Sequence, residues 1–208
     1  MSKGQMINMP AKKPLGQVVL LCCGFSGVLF MLTYTVFGFF TPGFNAFRNT
    51  ISSLEQVKNG WVQQGNFILY GVLTILFTIG LSKELIKSTN AKFIILFQLL
   101  IGTGLIGDGL FIYEPLHTTC DIIVFNSAMI VLFLFAWQFY KTKSWKGWIV
   151  YSLVAAFMMM ALLAAFGIAN VTHGWSGLFE RLAVLPRTLW SIVLIIKLLK
   201  GRRLIAGA

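Results

Sequence analysis

Six long apolar stretches dominate this sequence and limit what it can fold into. They cover approximately residues 17–40, 61–81, 93–113, 121–140, 148–169 and 178–199. The hydrocarbon core of a bilayer takes roughly 20 helical residues to cross, and each stretch is about that long. Because lipid offers no partner to backbone polar groups, and because most of the stretches are too long for strands, helices are the predicted form. The sequence therefore predicts an all-α integral membrane bundle of six transmembrane helices.

Composition favours lipid over water as the surroundings of this bundle. Of 208 residues, 57% are hydrophobic and 11% are charged, whereas about a quarter of a soluble domain is charged. We expect one integral membrane domain over residues 1–208. Lys12 and Lys13 precede the first stretch as they would in a signal peptide, but the stretch is longer than the roughly 7–15 apolar residues of such a peptide. It is predicted to be a retained anchor.

Basic residues predict the orientation of the helices. Thirteen of the 17 lysines and arginines lie before the first stretch, in the second and fourth loops, or at the C-terminal end. These are Lys3, Lys12, Lys13, Lys83, Lys87, Lys92, Lys141, Lys143, Lys146, Lys197, Lys200, Arg202 and Arg203. Since positively charged short loops stay in the cytoplasm, both termini are predicted to be cytoplasmic. Topology thus explains the net charge of +11 without nucleic acid as a partner, and membrane lipids with anionic headgroups would attract the same lysines.

A polar segment at residues 107–126 separates the third and fourth stretches and carries both aspartates of the chain. We count 1.5 Å per residue from the outer end of each apolar stretch, and for the sixth stretch from Leu182, where its clearly apolar part begins. Four polar side chains from four helices then fall roughly 7–8 Å below the outer boundary. They are Asn66, Asp108, Asn126 and Arg187. A charge inside the membrane costs roughly 2.5–3.5 kcal/mol on insertion scales and is usually paired or wet. We predict the floor of an outward-facing polar pocket, where Asp108 and Arg187 pair or share a water.

Further polar residues are expected at the mouth of this pocket, in or near the outer loops. They are Ser52, His117, Asp121, His173 and Glu180. Asp108 and the two histidines are the candidate catalytic acids and bases, and Arg187 would hold an anionic group. The remaining residues of the layer and the mouth would bind substrate. Ser52 beside a histidine is also a candidate nucleophile.

Other interpretations of the mouth remain open. His117, Cys120 and Asp121, joined by His173, are donor types that zinc accepts, although the predicted site contains no metal and no cofactor. Asp121 equally suits the N-cap of the fourth helix.

Two short patterns have structural interpretations. Ser52 and Glu55 have the spacing of a capping box, which predicts a short interfacial helix at about residues 53–58. The glycines at 102, 104 and 107 match a dinucleotide-binding pattern, but that pattern has meaning only between a strand and a helix. Inside an apolar stretch it predicts close helix packing.

These features resemble a prokaryotic family of small six-span membrane proteins known as domain of unknown function 998. Its members typically read IS-x-LG in the first outer loop, then asparagine early in the second span, then Asp and His around the turn between the third and fourth spans. The matching positions here are Ile51-Ser52-Ser53-Leu54, Asn66, Asp108 and His117, while Glu55 stands where glycine is usual. The resemblance covers most of the chain and implies the fold and topology above, but no activity.

Three functions from different classes fit this pattern. The first is recognition of a lipid headgroup or small amphiphile in the pocket, followed by hydrolysis or group transfer, in a prokaryotic cytoplasmic membrane. The second is a small transporter or proton-coupled carrier, which requires polar residues that continue toward the cytoplasmic side. The third is a non-catalytic accessory membrane subunit, in which alanine at Asp108 or Arg187 would change stability alone. Nothing in the sequence determines a homo-oligomeric state.

Overall fold

Six long helices account for the six apolar stretches. The computed structural model describes residues 13–85, 88, 90–142, 145, 147–201 and 204. The first span, Leu15–Phe39, consists of α1 (Leu15–Cys22), a short 3-10 turn (Cys23–Phe25) and α2 (Ser26–Phe39). The others are α3 (Trp61–Leu85), α4 (Ala91–Leu110), α5 (Leu116–Lys141), α6 (Trp148–Val171) and α7 (Ser176–Leu199). The predicted all-α bundle of six spans is confirmed.

The outer surface of these helices is apolar. Each span contains an 18-residue window with a mean hydropathy between 1.7 and 2.4. Large side chains such as Phe39 and Val171 are 83% and 80% exposed. A soluble monomer rarely exposes so much contiguous apolar surface, whereas lipid tails provide an apolar environment for it. The chain is therefore a multi-pass membrane protein in a lipid environment.

Consecutive spans pack as neighbours and close into a ring. The first span packs on α3, and each helix from α3 to α6 packs on the helix that follows it. The ring closes where α7 contacts α1 and the 3-10 turn of the first span. Gly24 makes this closure possible, because a Cβ there would lie 2.5 Å from Ile195 of α7 and 2.7 Å from Phe77 of α3. All six spans can therefore face one central space.

The glycine pattern in α4 packs against two neighbours. A Cβ on Gly102 would lie 2.6 Å from Ile75 of α3, while Cβ atoms on Gly104 and Gly107 would meet Val124 and Cys120 of α5 at 2.6 and 2.5 Å. Small residues let helix backbones approach closely in a membrane. The pattern thus holds α4 tightly between α3 and α5.

The turn between α4 and α5 is shorter than predicted. Hydropathy predicts a turn between residues 113 and 121, but α4 ends at Leu110 and α5 begins at Leu116, directly after Pro115. Proline is tolerated where a helix starts because it has no N–H to satisfy. The first turn of α5 is polar but helical, so Asp121 lies in the second turn. The expectation that Asp121 is an N-cap was wrong.

The connection between α2 and α3 folds over one end of the ring, here called the loop end. Its 3-10 helix, Ser52–Gln56, has no side-chain cap hydrogen bond. The Ser52 hydroxyl lies 3.2 Å from the Thr50 hydroxyl, and Glu55 is buried. The predicted capping box is therefore not formed, because its glutamate turns into the protein.

Backbone oxygens tie this connection to the start of α7. The Ser176 hydroxyl donates to Arg48 O at 2.8 Å, and the Arg181 guanidinium donates to Asn49 O at 2.9 Å. Leu178 N donates to Phe47 O at 3.0 Å. The connection is thus held as a lid on the ring.

Orientation in the membrane remains a prediction. Seven of the 13 basic residues on which it depends lie outside the described residues: Lys3, Lys12, Lys87, Lys143, Lys146, Arg202 and Arg203. Of the others, Lys13 pairs with Glu84 at the end opposite the loop end, and Gln17 of α1 donates to Gly80 O at 2.6 Å. These contacts join α1 to α3 there.

Candidate functional site

A small central cavity of about 50 Å³ lies inside the ring. Every span contributes to its lining, and most of the lining is apolar, including Phe30, Phe67, Leu105 and Met159. Its polar lining residues are Tyr70, Asp108, Asp121, Glu180 and Arg187. A space of this size holds a few water-sized groups, since one water needs roughly 10–15 Å³ on this measure.

Asp108 is the most deeply buried acid of the site. It lies two residues before the end of α4 and is 0% exposed. Among the residues that the structure describes, neither of its carboxylate oxygens has a hydrogen-bond partner. A buried carboxylate without partners is costly, so Asp108 requires a proton or a cation from outside the described protein atoms.

The predicted ion pair between Asp108 and Arg187 is not formed. Arg187 instead donates to Gln98 Oε1 at 2.7 Å and to the Tyr70 hydroxyl at 3.5 Å. The physical reason is depth: Arg187 lies eleven residues into α7, about 16 Å from its start, whereas Asp108 is about 3 Å from the end of α4. The sequence-based count began α7 six residues too late. The two residues still line the same cavity.

Asp108 lies close to two residues of α5. One ligand atom from each of Asp108, His117 and Asp121 can be chosen so that all three lie within 4.8 Å of one another. His117 Nε2 is 3.7 Å from Asp121 Oδ2. His117 and Asp121 are four residues apart on a helix, so they share a face, and that face turns toward Asp108.

The lid supplies a further carboxyl group to this cluster. Glu55 Oε2 is 3.7 Å from His117 Nδ1, and the residue is 4% exposed. Burial, and then the negative charge of Asp121, raise the pKa of Glu55 to about 8, so this carboxyl group holds its proton at neutral pH. Glu180 of α7 is also buried, and its Oε2 accepts a 2.5 Å hydrogen bond from Ile51 N of the lid.

A larger groove of about 970 Å³ opens beside the cavity, here called the α5–α6 groove. Its polar end is formed by the lid, the α4–α5 turn and the start of α5, including Ser52, Glu55, Glu114 and His117. Its apolar part is lined by Ile122, Phe125, Met129, Leu163, Ala164 and Phe166. Asp121 and Phe125 line both the groove and the central cavity, so these two residues separate the two spaces.

The residues of the predicted polar layer lie in different parts of the structure. Asn66 donates to Phe30 O at 3.1 Å and to Gln63 Oε1 at 3.2 Å and lines neither space. Asn126 lies in the α5–α6 groove and donates to Ile122 O within its own helix. It is ten residues into α5 because that helix begins early. The four side chains therefore do not share one level.

The residues predicted at the mouth of the pocket also lie in different places. Ser52 and His117 lie in the groove and Glu180 lies in the cavity, but His173 is exposed in the α6–α7 turn and lines neither space. Its backbone has a φ of 53°. Cys120 packs against Gly107. The sequence suggests His117, Cys120, Asp121 and His173 as candidate metal ligands. In the structure, the third residue whose ligand atom lies close to those of His117 and Asp121 is Asp108, rather than Cys120 or His173.

Three residues of the site were missed from sequence. Glu55 was assigned to a cap, although an acid at a position where the family usually has glycine was a signal. Gln98 is a polar residue in the middle of an apolar span, and its side-chain oxygen accepts a hydrogen bond from the Arg187 guanidinium. Tyr70 gave no signal, because a tyrosine in a span is ordinary.

Comparison with known proteins identifies the family. The family described as "Protein of unknown function (DUF998)" matches residues 25–197. The chain belongs to this family. The match runs from the end of the 3-10 turn in the first span to Lys197 in the last turn of α7, so it includes every residue of the cavity and the groove. No curated protein and no solved structure matches. Membership of the DUF998 family therefore assigns no particular activity to the chain.

Proposed function

We propose that this DUF998 protein binds an amphiphile, such as a membrane lipid, in the α5–α6 groove. The polar head would lie against the lid and the start of α5, and the tail would lie between α5 and α6. In a prokaryotic cytoplasmic membrane with cytoplasmic termini, this loop end faces the outside. Asp108 and His117 would be the acid and base of any hydrolysis or group transfer that follows.

The observation that carries this proposal is the gradient of polarity along the groove. Its end near the lid carries carboxyl, imidazole and hydroxyl groups and Asn170, whereas the described residues of its far part are aliphatic, aromatic and thioether side chains apart from Asn126. A volume of about 970 Å³ is at the upper end of the roughly 300–1,000 Å³ of small-molecule sites. An elongated ligand with one polar end suits such a shape.

Charge favours an amine-bearing head over an anionic one. Five of the six acidic residues of the chain line the groove or the cavity: Glu55, Asp108, Glu114, Asp121 and Glu180. Among the residues that the structure describes, the groove lining contains no lysine or arginine. Arg187 lies in the cavity, bound to Gln98, so the role predicted for it in holding an anionic head is not retained. Glu55 holds its proton at neutral pH and adds no charge, but Glu114 and Asp121 of the groove lining would attract a positively charged head.

Thermal unfolding of the purified chain in dodecyl maltoside tests this proposal. Dodecylamine and dodecyl phosphate, added at equal concentration, separate head charge from tail length. We expect dodecylamine to raise Tm more, since a ligand at about 100 times its Kd stabilises by about 2.7 kcal/mol.

Two tryptophan substitutions on α6 locate the effect. Ala164→Trp fills the groove and should abolish the shift, whereas Val154→Trp, which is on the exposed outer surface of the same helix, should preserve it. Equal shifts from both amphiphiles, or a shift that persists in Ala164→Trp, would contradict binding in the groove.

A proton-coupled carrier is the second candidate, and one observation favours it. Arg187 also lines a third, very small space of about 10 Å³, together with the hydroxyl groups of Ser26, Thr74, Thr188 and Ser191. Polar groups thus continue from the cavity toward the opposite end of the bundle. Proteoliposomes containing a pH-sensitive dye and an imposed membrane potential test it. A carrier acidifies the lumen and Arg187→Gln slows this; no proton movement in the wild type excludes this candidate.

A further inference from the structure

We infer that Asp108, His117 and Asp121 form a binding site for a divalent transition-metal ion of the zinc class. This site lies where the α5–α6 groove meets the central cavity. The inference goes beyond the proposed function, because a metal can bind there whether or not the groove takes an amphiphile. With the ion bound, Asp108 and His117 would hold the metal and would not act as acid and base.

The three side chains come from two adjacent helices and converge on one point. Their ligand atoms lie within 4.8 Å of one another, and the His117–Asp121 pair is 3.7 Å apart. Around a tetrahedral zinc ion with bonds of about 2.0–2.1 Å, neighbouring ligand atoms are about 3.4 Å apart. Small side-chain rotations would therefore bring all three groups to one ion.

The atoms that would bind the ion are those without another partner. Within the described part of the chain, both oxygens of Asp108 and Nε2 of His117 are buried and make no hydrogen bond. Asp108 is 0% and His117 is 7% exposed. Buried polar groups in proteins are almost always satisfied, so three unsatisfied atoms around one point indicate a ligand that neutralises them.

The imidazole of His117 is held in the tautomer that a metal ligand needs. Its Nδ1 is 3.0 Å from Phe111 O, and a carbonyl oxygen can only accept, so Nδ1 carries the hydrogen. In the neutral ring this leaves a lone pair on Nε2, which lies 3.7 Å from Asp121 Oδ2. A hydrogen bond from the second ring nitrogen to a carbonyl is the usual support of a metal-binding histidine.

Donor chemistry selects the class of ion. One imidazole nitrogen and two carboxylates suit zinc and similar transition metals, whereas calcium and magnesium prefer oxygen ligands alone. A divalent ion would also balance the charges of the two carboxylates, which Arg187 does not do because its guanidinium is turned to Gln98. Asp121 lines the groove as well as the cavity, so a fourth coordination position would be open to a water or a ligand in the groove.

Metal analysis of the full-length, tag-free protein tests this site. The chain is purified in dodecyl maltoside, stripped with EDTA, incubated with ZnCl₂ and freed of unbound zinc by gel filtration. Elemental analysis should find about one zinc per chain, and Tm should rise on adding zinc. Asp108→Asn and His117→Gln should each retain less than about a tenth of this zinc, because each removes one of the three ligands on which the ion depends. Cobalt in place of zinc should give visible absorption bands in the wild type alone.

Matched variants separate this site from adventitious binding. His173→Gln and Glu114→Gln remove an exposed histidine and an exposed acid outside the cluster, and both should retain wild-type zinc. Asp121→Asn is a third ligand variant at a half-buried position, which keeps the test valid if a fully buried variant does not fold. The site is overturned if the wild type retains no more zinc than Asp121→Asn, or if His173→Gln removes the zinc. Loss of zinc without loss of amphiphile binding would leave the proposed function standing.

Discussion

At the scale of single residues, this molecule is organised by where its few charges find partners. Arg187 is 9% exposed and is held by Gln98 and Tyr70. Hydrogen bonds to a charged group are about twice as strong as neutral ones. The pair therefore joins α4 to α7 across the ring.

Replacing Gln98 by leucine should destabilise the bundle. The guanidinium of Arg187 loses its 2.7 Å acceptor in a buried place, which costs about 1–3 kcal/mol or more. Thermal unfolding in detergent measures the effect. Thr103→Val is the control on the same helix, since Thr103 is exposed and bonds only to Leu99 O and Leu100 O within α4. In the double variant with Arg187→Leu most of the loss should be recovered; additive losses would contradict the link.

Glu180 should act as the anchor of the lid. Alanine at this position leaves Ile51 N without its acceptor, so we expect a loss of about 1–3 kcal/mol and faster proteolysis between residues 41 and 60. Glu180→Gln retains an acceptor oxygen and should keep most of the protection. Glu114→Ala serves as the control, because Glu114 is exposed and, among the described residues, accepts a hydrogen bond only from Thr118. Equal proteolysis of the wild type and Glu180→Ala would disprove the anchoring role.

Part of this site could be predicted from single residues, and part could not. A buried aspartate near the end of a span was predictable, because charges are costly in lipid wherever they lie. The partner of Arg187 was not, since it depends on which helix turn faces which. The length of an apolar stretch does not show where a helix begins if its first turn contains polar residues. The first turns of α5 and α7 both contain polar residues.

At the scale of helices, close backbone contacts determine how α3 and α4 pack. A Cβ on Gly71 would lie 2.5 Å from Gly102 O and 2.7 Å from Ile106. The approach uses glycine on both helices, which is typical of tight packing in membranes.

Gly71→Ala should therefore destabilise the pair, because the added methyl group pushes α3 away from α4. The expected cost is about 1–3 kcal/mol, as for other overpacked interiors, measured by thermal unfolding. Gly65→Ala on the same helix is the control: a Cβ there meets nothing within 4 Å, so its Tm should stay unchanged or rise. A Gly71→Ala protein as stable as Gly65→Ala would contradict the close contact.

Helix number and approximate position could be predicted from the sequence, since hydropathy and length together leave one spanning form. Helix ends could not. The α4–α5 turn was placed too late because His117, Thr118 and Thr119 were assigned to a loop on polarity alone. In the structure the Thr119 hydroxyl donates to Pro115 O at 3.0 Å, so polar residues extend the helix and bring His117 and Asp121 onto one face.

At the scale of the whole molecule, the positive charges predict the orientation. In a cysteine-free background, with Cys22, Cys23 and Cys120 replaced by alanine, single cysteines can replace Lys58 on the loop end or Lys141 at the opposite end; both lysines are exposed. A membrane-impermeant maleimide should label Lys58→Cys in intact cells and Lys141→Cys only after permeabilisation. The reverse result would mean that the groove opens toward the cytoplasm.

Closure of the ring has a consequence for how the protein is made. The first span meets α7, which is synthesised after the other five spans, and α7 brings Glu180, the anchor of the lid, and Arg187 with it. Until then the five earlier helices form an open arc, so the nascent chain holds Asp108 and its neighbours against whatever lipid or water fills the gap. The sixth span, α7, therefore both lines the binding space and completes it during synthesis.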